Sequence, residues 1–247
     1  MNPNLKPSIE AITTIQRKDT CIDDLFGYGA GDVENIRKLD ISDDSLSNAF
    51  SQYLLFLNKD EIDYCSFIDD HRIDSVLSSK SINKFFNLAN IFVGPKKDYV
   101  FTGLFVSKLI QESYDAGNNN FLLEGEFDRI QCIGSYLNGQ ESNPIRIHVN
   151  SNELGTGAFG ASNYVIASIE GSCSLGLGNN TKNSILAIKK SANWIGDCSE
   201  NLKVYVGGDC NSYFLAALDS EIIVGEKALN NPEYIRLMNE SLGWIDK

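Results

Sequence analysis

Across residues 43–92, apolar side chains recur at three- and four-residue intervals: Phe50, Tyr53, Leu54 and Leu57, then Tyr64, Phe67 and Ile68, then Phe85, Phe86, Ala89 and Phe92. This period predicts short amphipathic helices, each with one buried face. Ser42-Asp43-Asp44, Asp60-Glu61 and Ser81 stand where N-terminal caps belong. The run VGPKK at residues 93–97 ends the pattern, because Gly94 and Pro95 together cannot continue a helix. The expectation is an all-helical N-terminal domain of residues 1–95. A lead-in helix over residues 98–116 follows, stopped by Gly117 and three asparagines.

Beyond residue 120 the apolar period shortens to two. The runs FLLEGE, IRIHV, YVIASIE, ILAIKK, KVYVGG and EIIVGE read as strands at intervals of 18 to 24 residues, with no helix-length segment between them. In IRIHV, Ile145, Ile147 and Val149 share one face, and Arg146 and His148 take the other. In the same way Leu202, Val204 and Val206 point inward and Lys203 and Tyr205 outward. Ile133-Gly134, Leu154-Gly155, Leu175-Gly176 and Ile195-Gly196 form a ladder spaced 21, 21 and 20 residues, with Phe214 where a fifth rung is due. A unit of about 20 residues with short apolar segments cannot bury its face alone, so copies must stack. The glycines then serve corners that need positive φ or close backbone approach.

The expected fold class is α+β: a helical domain, then a β-solenoid of about five coils over residues 96–247. A helix covers each end, since bare strand edges invite polymerisation. Residues 98–116 supply the first cover. Residues 232–243 supply the second, with Asn231 as N-cap, Pro232 at the first helical position and Glu233 in the first turn.

Strand, polar break, hydrophobic-Gly, small residues, strand: over residues 98–226 this phrase resembles the GXGXG right-handed β-helix family, whose members include the C-terminal domain of the glutamate synthase large subunit and one of the chains of formylmethanofuran dehydrogenase. FLLEGEFDRIQCIGSYLNG resembles that fold's lead-in and first coil. SANWIGDCSEN and CNSYFLAALDS keep the spacing and lose most of the glycine. The resemblance implies a right-handed coil and a structural, docking role beside catalytic domains, with no catalytic residues to carry over.

Charge narrows the partners. Thirty-three acidic against 21 basic side chains give a formal charge of −12, which repels phosphate backbones and anionic bilayers, so neither nucleic acid nor membrane is expected as a partner. The start of the chain has no basic segment followed by an apolar one, and the expectation is a cytoplasmic protein. Cys21, Cys65, Cys132, Cys173, Cys198 and Cys210 never form a CxxC pair, which speaks for free thiols and against a zinc knuckle.

Candidate chemistry is sparse. GYGAGD, Gly27 to Asp32, lacks the preceding apolar strand and following Lys or Ser of a phosphate loop, and reads as a turn. In DDHRID, Asp70, His71 and Asp74 have a spacing able to hold a divalent ion on one helix face, yet such acidic runs are ordinarily solvated. His148, with Arg146 and Tyr164, reads as a polar surface strand without nucleophile or orienting acid. The serines of GASN and GSCS lack a nucleophile elbow. Trp194 and Tyr213 read as corner packing, with an exposed aromatic patch as the rival.

No catalytic, cofactor-binding or metal-ligating residue is therefore assigned, and no cofactor is expected. The functional expectation is a non-catalytic assembly subunit that docks protein partners, with an oligomer compatible with it. The alternatives are a small-ligand module between the domains, and an acyltransferase-like β-helix enzyme. The latter needs an apolar residue every six, a count that ILAIKKSANWIGDCSENLKVYVGG does not keep.

Overall fold

The structure is a computed structural model and describes residues 44–57, 67, 73–92, 96–211 and 217–240. The chain forms two compact units, Met1–Ser75 and Val76–Lys247. In the first, helix α1 (Asp44–Leu57) buries Leu46, Phe50, Tyr53, Leu54 and Leu57 on one stripe, as the period of the sequence requires. Phe56 meets Phe67 edge to face with ring centroids 5.1 Å apart, and the Asn48 amide donates to the Ser75 hydroxyl at 3.0 Å.

The second unit opens with α2 (Ser79–Phe92) and α3 (Lys96–Asp115). The cap of α2 is Ser78, whose Oγ accepts the Ser81 amide at 3.1 Å; it stands three residues before the serine that the sequence pattern suggests. The end of α3 follows expectation: Gly117 takes φ 106°, its amide donates to Tyr114 O, and the Asn118 amide reaches back to Ser113 O.

Then come β1 (Asn120–Glu124), β2 (Ile145–Asn150), β3 (Glu153–Leu154), β4 (Val165–Ile169), β5 (Ser172–Cys173), β6 (Lys182–Ile188), β7 (Glu200–Val206) and β8 (Glu221–Val224). Six of them form one sheet in the order β1-β2-β4-β6-β7-β8, every pair parallel; β3 and β5 pair separately, also in parallel. Parallel neighbours in chain order, without crossover helices, define a β-solenoid. The register partners Ile145 and Val165, Ile166 and Ile185, Ser184 and Leu202, Lys203 and Glu221 mark four regular turns. The step from β1 to β2, Asn120 to Arg146, is longer.

Inside, side chains stack in columns. Ile147, Ala167, Leu186 and Val204 lie in register with no exposed surface. A second wall is built differently. Through four successive passes every other residue is left-handed, with φ between 50° and 79°: Cys132, Gly134 and Tyr136; Gly157, Phe159 and Ala161; Gly176, Gly178 and Asn180; Trp194, Gly196 and Cys198. Only some are glycine, and each of the others carries a conformational cost of roughly 1–2 kcal/mol that the coil-to-coil hydrogen bonds offset. Such bonds run from the Gly157 amide to Leu175 O and from the Gly176 amide to Trp194 O, at 2.8 and 2.9 Å.

The evenly spaced hydrophobic-Gly ladder does not coincide with this stacking. Leu154 lies beside Phe127 and Cys173, while Leu177, not Leu175, neighbours Ile195. Leu175 is 54% exposed. Successive turns shorten along the chain, so a constant spacing slides out of register.

Polar side chains close the remaining corner. Asn138, Asn163, Asn183 and Asn201 form a ladder in which each amide donates to the preceding Oδ1, at 3.3, 3.0 and 2.9 Å. Asn183 and Asn201 are themselves left-handed. Beneath them the buried Ser162 and Thr181 hydroxyls donate to Gly134 O and Phe159 O.

Helices α2 and α3 meet the first coil through side chains that act as a strand would. The amides of Leu122 and Glu124 donate to Ser79 Oγ and Asn83 Oδ1 at 2.9 and 2.8 Å. The Gln111 side chain both accepts from the Asn138 amide and donates to its carbonyl. Phe86 stacks on Phe127 with centroids 3.9 Å apart.

After β8, the short α4 (Glu226–Leu229) leads into α5 (Pro232–Glu240), whose N-cap is Asn231 as expected. The sequence pattern places this helix at the end of the stack. It covers a flank instead: Tyr234 and Leu237 lie with Ala187, Tyr205 and Ala228 on the outer face of the sheet. Tyr205, expected to face water, therefore has no exposed surface. No helix among the described residues is long and apolar enough to cross a membrane.

Candidate functional site

The outer face of the sheet carries the side chains that strand alternation turns away from the core. His148, Ser168, Ala187 and Tyr205 are in register across β2, β4, β6 and β7. His148 is only 1% exposed and Ser168 not at all, a correction to the surface position expected for this histidine. Its Nδ1 and the Ser168 Oγ share a hydrogen bond of 2.8 Å. Burial holds the imidazole below its ordinary value, with Glu170 and Glu124 pulling upward and Lys189 reinforcing the fall. A neutral imidazole beside a hydroxyl is the beginning of a nucleophilic pair. The hydroxyl is sealed, however, so no substrate reaches it in this conformation.

Arg146 lies in register with Asn120 and Ile166, and Tyr164 sits at a left-handed corner where its carbonyl accepts the Ile145 amide. Ser162 is a buried turn residue, and Ser174 Oγ donates to Glu153 at 3.1 Å. Trp194 is a left-handed corner residue, 42% exposed. Gly27 to Asp32, Asp70, His71, Tyr213 and Phe214 lie outside the described residues, as do Cys21 and Cys65. Asp74 is described, and its carbonyl accepts a long 3.5 Å contact from the Asn48 amide. Cys132, Cys173, Cys198 and Cys210 are free thiols, and burial pushes Cys173 far up, which makes it a poor nucleophile. No cluster of three or more potential metal ligands occurs among the described residues.

Where the outer face turns the corner, one residue follows each strand into an open cleft of about 450 Å³. Glu124, Asn150, Glu170 and Lys189 succeed one another there, one per coil, because each ends or follows the last registered pair of its strand. The Asn150 amide approaches Glu124 at 3.4 Å, and Lys189 Nζ lies 2.5 Å from Glu170 Oε2. That contact holds the Lys189 ammonium above its usual value. Lys190, Asn152, Ser151 and Gly125 complete the lining. Sequence patterning does not reveal this cleft. The signal is present as the polar residue after each strand in FLLEGE, IHVNSN, ASIEGS and LAIKKS, but unequal coil lengths conceal that these residues stack.

A third cluster pins α5. Tyr205 Oη and Lys203 Nζ both donate to Glu233 Oε2, the latter at 3.0 Å. The Tyr205 hydroxyl, then Lys203, keeps the Glu233 carboxylate below its ordinary value. The cluster's geometry is that of a latch, its Lys203 and Glu233 side chains partly exposed.

Fold and site together define the class: a parallel β-solenoid preceded by α-helices, with a charged cleft along one corner. Compared with protein-family models, curated proteins and solved structures, the chain matches none.

Proposed function

We propose that this chain is a non-catalytic docking subunit whose solenoid holds partner proteins in fixed register. The observation that carries this reading is the polar corner of the stack. Side chains there stand one per coil at the strand spacing, and a surface so ruled is suited to recognising an extended partner rather than to turning over a substrate. The sealed His148–Ser168 pair supports the same reading over the acyltransferase alternative.

Finer features belong to the proposal. The irregular first step counts as a fifth coil, and α2 and α3 close that end by supplying strand-like hydrogen bonds to it. A right-handed coil resembling the GXGXG domain of glutamate-synthase-type complexes accords with every-other-residue left-handed geometry, since a GXGXG spacing sets glycine at every second position. A cytoplasmic setting accords with free thiols.

The test is affinity purification of the intact chain from its own host, with quantitative identification of what travels with it. A stoichiometric protein partner is expected, retained when the chain is natively folded and lost when it is denatured. Recovery of the chain alone, or turnover of a small substrate by the isolated chain, would overturn the reading.

A further inference from the structure

Three steps of the stack separate Glu124 from the coil that carries Lys189 and Lys190, a span of about 14 Å along the stack at roughly 4.8 Å per coil. Charge is not distributed evenly along it. Glu170 and Lys189 neutralise each other across the last of these steps. At one end Glu124 has a single long contact with the neutral Asn150 amide, and at the other Lys190 has no carboxylate within ion-pair distance among the described residues. The Asn152 side-chain amide between them likewise has no hydrogen-bond partner among the described residues. The cleft therefore presents a carboxylate without a cation, the unpaired Asn152 amide and an ammonium without a carboxylate.

We propose that this corner cleft binds an extended peptide segment of a partner protein, with a Lys or Arg of the segment on Glu124 and an Asp or Glu on Lys190. The proposal rests on the docking reading above and names its surface. An extended chain advances roughly 3.4 Å per residue, so two side chains four residues apart span about 14 Å and match the two free charges. Between them the Asn150 and Asn152 amides can donate to and accept from peptide groups, which an extended backbone leaves unpaired. Recognition of this kind uses opposite charges for orientation and amides for length.

The probe is a fluorescein-labelled, end-blocked peptide, Lys-Gly-Ser-Gly-Glu, titrated with the full-length protein at low salt and followed by anisotropy. Saturable binding is expected, weakened about threefold to tenfold by Glu124→Gln or by Lys190→Gln, and weakened further by salt. Both substitutions are at exposed positions, and circular dichroism should show each variant folded. A Glu-Gly-Ser-Gly-Glu probe should bind Glu124→Lys better than it binds the unchanged protein. Equal binding by unchanged protein and both variants, no saturation at millimolar concentration, or displacement by an equal concentration of free glycine would overturn the proposal. The wider docking reading fails separately: a co-purifying partner insensitive to Glu124→Gln and Lys190→Gln sinks only the cleft, whereas no partner at all sinks the docking role.

Discussion

At Gly176 the backbone has φ 79°, and at Gly155 a Cβ would lie 2.1 Å from Ile130 O. The two glycines thus resist substitution for different reasons, conformation in one and contact in the other. Gly155→Val and Gly176→Val should each lower stability by about 1–3 kcal/mol, read from urea unfolding followed by circular dichroism. Neutral effects at both would remove the reason offered for their place in the stack. Asn183 links two neighbours of the asparagine ladder, and Asn183→Ala should cost about 1 kcal/mol by the same measurement. His148 carries a pH dependence. Its folded value lies below the unfolded 6.5, so the unfolded chain binds the proton more readily. Stability is then full above that value and declines as pH falls below it. Urea midpoints at pH 7.5 and 5.5 should differ more in the unchanged protein than in His148→Gln.

At the scale of elements, α5 decides how much of the sheet is wet. Its Tyr234 and Leu237 are buried on an outer face that would otherwise show Ile166, Ile185 and Tyr205 to solvent. Leu237→Ala should cost about 2–4 kcal/mol and raise binding of an apolar dye. Unchanged stability and dye binding would mean that the helix is dispensable to the flank. The Glu233 latch differs from an ordinary surface charge pair, because a hydroxyl as well as an ammonium stabilises the carboxylate. Its folded value lies below 4.5, so its contribution is present above that pH and lost as pH falls through the folded value. Glu233→Gln should flatten the acid limb of the stability curve.

For the whole molecule, the solenoid turns a one-dimensional sequence into ruled columns, and function resides in which columns stay open. The strand period and the helix stop at Gly117 were legible along the chain, because alternation and glycine caps are local properties. So was the solenoid, since strands repeating without helices between them have little else to become. The register was not legible: turns of unequal length let Leu154 and Leu175 look equivalent to Ile133 and Ile195 while standing in different columns. The cleft was hidden for the same reason, its residues being neighbours only after the coils are counted correctly. Nor could the chain announce that His148 and Tyr205, polar-capable residues on the outward phase of their strands, would be buried. Alternation assigns a side chain to a face; whether that face meets water depends on what else folds onto it. The sequence by itself determined the repeating strands and their inward apolar phase, and only the tertiary structure decided the coil register and the covered flank, because both depend on contacts between residues far apart along the chain.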